Sequence, residues 1–65
     1  MTIELATSEQ VRGARAVLGM SVVDFAEAVG VSAHTVYAWE EGARSPKPTA
    51  VKLMRMLVEE KEANG

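Results

Sequence analysis

The chain has 65 residues, seven Lys and Arg against nine Asp and Glu for a formal charge of −2, no cysteine, and 48% hydrophobic residues. A chain this short buries only about 60% of its unfolded surface, so its apolar residues serve one core and no second domain is left to wall an enzyme pocket. Disulfides and thiolate zinc sites are excluded, and every apolar run falls far short of the roughly 20 residues that span a bilayer.

Residues 1–6, Met-Thr-Ile-Glu-Leu-Ala, are too short to define an element and fit either a flexible arm or a short strand pairing with another chain. Met1 without a charged-then-apolar signal suits a natural start and a soluble, cytoplasmic protein. The first helix opens at Thr7 or Ser8, with Thr7 and Gln10 spaced as a capping box. Val11, Ala14 and Leu18 mark its apolar face. Gly13 lies inside it at a cost of about 1 kcal/mol relative to Ala, which fits a close helix approach. Gly19 closes it.

Ser21 opens a second helix with apolar residues Val22, Phe25, Ala26 and Val29, closed by Gly30. Ser32 opens a third, with Val36 and Trp39 on one face, closed by Gly42. A linker follows, in which Pro46 bars helix continuation and Pro48 suits the first turn of a fourth helix over 48–60. The apolar residues of that helix cover roughly 220°, more than the roughly 100° a core-facing surface helix requires. The surplus predicts a dimer surface at Val51, Met54 and Val58. No repeat or second-domain linker interrupts the chain, so residues 7–60 form one all-α domain of four to five helices, followed by a tail over 61–65.

The second and third helices meet through Val29-Gly30-Val31-Ser32, a tight turn ending in an N-cap. Two short helices joined this way form either a helix-turn-helix, whose second helix enters the roughly 12 Å wide major groove, or an ordinary helical hairpin. The turn spacing alone leaves both open.

The residues from Arg15 to Gly42 resemble the Cro and phage-repressor type of helix-turn-helix, the XRE family. The carriers are the Arg and Gly of the first helix, Phe25-Ala26, Gly30-Val31-Ser32 at the turn, and Trp39-Glu40-Glu41-Gly42. The continuation through Ala43-Arg44-Ser45-Pro46 into an apolar helix resembles the antitoxin-type branch, and the likeness covers roughly residues 7–58. It implies a lambda-repressor-like DNA-binding fold with residues 32–41 as recognition helix. Ala33, His34, Thr35, Tyr37 and Ala38 would then face base edges: His34 donating or accepting, Thr35 bonding base or phosphate, the alanines touching thymine methyls. Arg15 and Glu40 match a structural ion pair of the family, and Trp39 a core residue.

The chain departs from the family at Val22, where members often carry a Gln that braces phosphate and recognition helix. Backbone N–H groups behind Ser21 and Val22 remain for a phosphate. Ser32, Arg44 and Lys47 are the other phosphate candidates; Lys52, Arg55 and Arg12 fit solvated charges equally well. The net acidity does not oppose this, because Glu59, Glu60, Lys61 and Glu62 account for the whole −2 and residues 42–58 hold no acid. The expected function is a sequence-specific, homodimeric DNA-binding regulator, a repressor on a palindromic site. The alternative is a protein-interaction module gripping a toxin or another regulator. With one His and no Cys, neither an enzyme, a metal site nor a cofactor is expected.

Overall fold

The computed structural model describes residues 8–64. Four helices follow in chain order: α1 (Ser8–Leu18), α2 (Val22–Val29), α3 (Ala33–Glu41) and α4 (Pro48–Asn64). No strand occurs among the described residues, and the fold is an all-α bundle. The arm over 1–6 and the Thr7 cap lie outside the described residues.

Caps decide where the two central helices begin and end. Ser21 has extended backbone dihedrals, and its hydroxyl accepts from the Asp24 N–H at 3.2 Å. Ser32 does the same for the Thr35 N–H at 3.2 Å. At the other end of α2, Gly30 takes the left-handed conformation, with φ 83°. Its N–H donates to the Glu27 carbonyl and the Val31 N–H to the Ala26 carbonyl, at 3.2 and 2.9 Å. This pairing satisfies carbonyls that a helix end leaves without partners. Gly42 repeats the arrangement after α3.

Val11 and Ala14 of α1, Phe25, Ala26 and Val29 of α2, Val36 and Trp39 of α3, and Ala50 and Met54 of α4 form one buried cluster. Fully burying a side chain of the Val, Phe or Met class contributes about 1.5–3 kcal/mol, so these residues hold the four helices against each other. The buried Pro46 anchors the linker between α3 and α4.

Three expectations are corrected. Met54 is 0% exposed, so it belongs to the protomer's own core and is not available to a dimer partner; Val51 and Val58 are half-buried against the same cluster. The helix continues through the stretch assigned to a tail, as far as Asn64, because residues 49–64 contain no Gly or Pro and good helix formers carry the hydrogen bonding onward. A Cβ at Gly13 would meet nothing within 4 Å, so no close helix approach explains that glycine.

Candidate nucleic-acid interface

The turn from Gly30 to Ser32 sets α3 across α2, and the two helices bury Phe25, Val29 and Val36 between them. The outer face of α3 follows from helical spacing. His34, Tyr37 and Glu41 stand three and four residues apart and are all exposed, Tyr37 by 53%. They form the stripe that a groove would meet.

The other candidates sit differently. Ala33 is half-buried against the core. Thr35 is half-buried, and its hydroxyl lies 2.9 Å from that of Ser32, inside the cap of the helix. Ala38 is only 8% exposed, which corrects its assignment to base contact. The chain returns over it after Gly42, with the Ala43 and Arg44 N–H groups donating to the Ala38 carbonyl at 2.9 and 3.3 Å, and a methyl is too short to project past that turn. Glu41 was not among the sequence candidates, although its seven-residue spacing from His34 already places it on the stripe. Val23, 62% exposed in the first turn of α2, was not named either, although the three- and four-residue spacing that sets Val22 with Phe25, Ala26 and Val29 leaves Val23 off that face.

At the start of α2, Ser21 is exposed while Val22 is half-buried and packed on the core. Val22 therefore offers the surface only its backbone N–H, one of the first-turn donors without an intrahelical partner. Asp24 adds an exposed carboxylate in the same turn.

A separate ionic cluster fixes α3 from behind. The Arg15 Nε donates to Glu40 Oε2 at 2.7 Å and its Nη2 to Oε1 at 3.0 Å, while Nη1 donates to the Met20 carbonyl at 3.2 Å. Arg12, itself exposed, donates through Nη2 to the Glu40 backbone carbonyl. The hydrogen bonds that Arg15 donates to Glu40 raise its pKa above the ordinary arginine value, and partial desolvation opposes them. Two cations of α1 thus tie that helix to α3.

Arg44 and Lys47 remain exposed on the linker. With Thr35, Trp39, Thr49 and Leu53 they line a cleft of about 430 Å³ between the turn, α3 and the start of α4. The cations therefore stand at the margin of α3, on a linker held down by Pro46. Among the described residues no group of His, Cys, Asp or Glu side chains is arranged to hold a metal ion, and no helix is long and apolar enough to cross a membrane.

A helix pair joined through a short capped turn and presenting one exposed face of its second helix is the arrangement of a helix-turn-helix. Residues 8–57 match the helix-turn-helix domain family, and the chain belongs to it. A protein of Archaeoglobus fulgidus provisionally named an HTH-type transcriptional regulatory protein is 44% identical over 50 residues, covering 77% of this chain. The chain spans 16% of that relative's length.

Proposed function

We propose that the chain is a sequence-specific DNA-binding module of a cytoplasmic transcriptional regulator, acting as a homodimeric repressor on a palindromic site. Its main support is the capped helix pair whose second helix keeps His34, Tyr37 and Glu41 exposed, followed by a linker with Arg44 and Lys47 exposed beside the Thr35 and Trp39 side of α3. In this reading the backbone N–H groups behind Ser21 and Val22, the Ser32 hydroxyl, and Arg44 and Lys47 grip phosphates and set the register. His34 and Tyr37 read base edges, with Thr35 reaching whichever group comes nearest the helix start. The relative's name and the resemblance to Cro-type and antitoxin-type repressors add to this support.

Selection of bound sequences from random duplex DNA tests it. The expected result is a palindrome whose half-sites lie about 34 Å apart, one turn of B-DNA. Absence of enrichment, together with no mobility shift at low salt, would overturn it. A second reading, a module that holds a protein partner such as a toxin, is favoured by Val17, exposed by 46% beside a groove between α1 and α4. Co-purification of a defined partner that binds a Val17→Asp variant more weakly would support that reading.

A further inference from the structure

The charges of α4 are segregated along its length. Lys52 and Arg55 occupy its first half, and Glu59, Glu60 and Glu62 its second, with Lys61 the one cation among them. Parallel pairing of two such helices sets acid against acid, whereas antiparallel pairing sets each basic half on the partner's acidic half, twice.

The face that such pairing needs is present. The residues Thr49, Leu53, Met56, Glu60 and Ala63 follow each other at alternating steps of four and three; Thr49, Met56, Glu60 and Ala63 are exposed, and Leu53 is packed on the core cluster at the edge of that series. This is the spacing of a helix-pairing seam. Its centre is Met56, 54% exposed, and Leu53 beside it is half-buried. Lys52 and Glu60 are both exposed and have no opposite charge at helical spacing: the residues three and four away from Lys52 are Pro48, Thr49, Arg55 and Met56, and those around Glu60 are Met56, Leu57, Ala63 and Asn64. Each lies four residues from Met56, on opposite sides.

Building on the homodimer proposed above, we infer that two copies of the chain pair through antiparallel α4 helices about a two-fold axis at Met56, with Lys52 of each copy facing Glu60 of the other. In that register Thr49 meets Ala63, both small enough for close approach, and the two exposed Met56 side chains meet on the axis. One helix pair of this length buries less than the roughly 1,200 Å² of a standard stable interface. Association of the free protein is therefore weak, and a duplex carrying both half-sites strengthens it by holding the copies together.

The chain has no cysteine, so Met56→Cys introduces a single thiol on the axis. Under mild oxidation this variant gives a disulfide-linked dimer, while Val17→Cys, on the α1–α4 groove, stays monomeric. In sedimentation equilibrium, Lys52→Glu and Glu60→Lys each weaken the dimer by about tenfold, since each replaces two symmetry-related attractions by repulsions, and the double reversal restores it. Circular dichroism checks that helix content is unchanged. If the wild type dimerises and fills a palindrome but the reversals and the Met56 thiol have no effect, this pairing is wrong and the homodimer stands. If the wild type remains monomeric at high concentration and binds duplex one copy at a time, both fail.

Discussion

Glu40 ties α3 to α1 twice, its carboxylate taking two bonds from Arg15 and its backbone carbonyl one from Arg12. The pair is partly screened, with side-chain exposures of 28% and 10%, so it lies between a surface bridge and a fully buried one. Glu40→Ala leaves the half-buried Arg15 guanidinium with the Met20 carbonyl and is expected to cost about 2 kcal/mol in urea unfolding, between the surface and buried ranges. A loss under about 1 kcal/mol would place the pair among surface bridges. Because the Arg15 pKa is raised, its contribution is present at every pH below the ordinary arginine value and is lost only as pH rises through the elevated one. Alkali in the range enzymes tolerate therefore leaves it intact. His34 behaves differently: it is exposed on the outer stripe, and the proposed function gives it a part in base preference. His34→Ala should shift the sequences recovered by selection while leaving the unfolding midpoint within error; an unchanged profile would remove it from the base readers.

Glycines separate the elements, and two of them respond to Ala in opposite directions. Gly30 holds φ at 83° to close α2, a conformation that costs an L-residue roughly 1–2 kcal/mol. Gly13 sits in the middle of α1, where an added methyl meets nothing within 4 Å. Gly13→Ala is expected to gain up to about 1 kcal/mol and Gly30→Ala to lose at least as much. In a domain this small each kcal/mol moves the melting temperature by about 4–8 °C, so differential scanning calorimetry resolves the two. Both effects follow from helix signals already visible along the chain: Ser21 and Ser32 as caps, Gly30 and Gly42 as stops, Pro46 and Pro48 as the break. What those signals do not carry is the third dimension. The apolar arc of α4 did not reveal that Met54 points straight into the core, because periodicity assigns a face but not its partner. Ala38 looked accessible by its position on the helix until the returning linker covered it. The helical continuation to Asn64 was hidden because a charged run reads equally as a solvated face or as a tail.

At the scale of the whole molecule the net charge of −2 opposes approach to DNA, and the distribution decides what is left. Arg12 and Arg15 bond Glu40, Arg55 lines the groove between α1 and α4, Lys61 lies among the glutamates of α4, and Lys52 faces the partner if α4 pairs as inferred. Arg44 and Lys47 are then the cations best placed to displace counterions, two in each protomer. Each phosphate neutralised contributes about −0.9 to the slope of log affinity against log salt, so a dimer on its site should show a slope near −4. Arg44→Ala should flatten that slope by about two for the dimer and weaken selected and unselected duplexes alike. Fluorescence anisotropy across a salt series measures both. A wild-type slope steeper than about −7 would mean that further cations, with Lys52 and Arg55 the first to test, reach the backbone, and would turn the outer side of α4 toward DNA instead of toward a second copy.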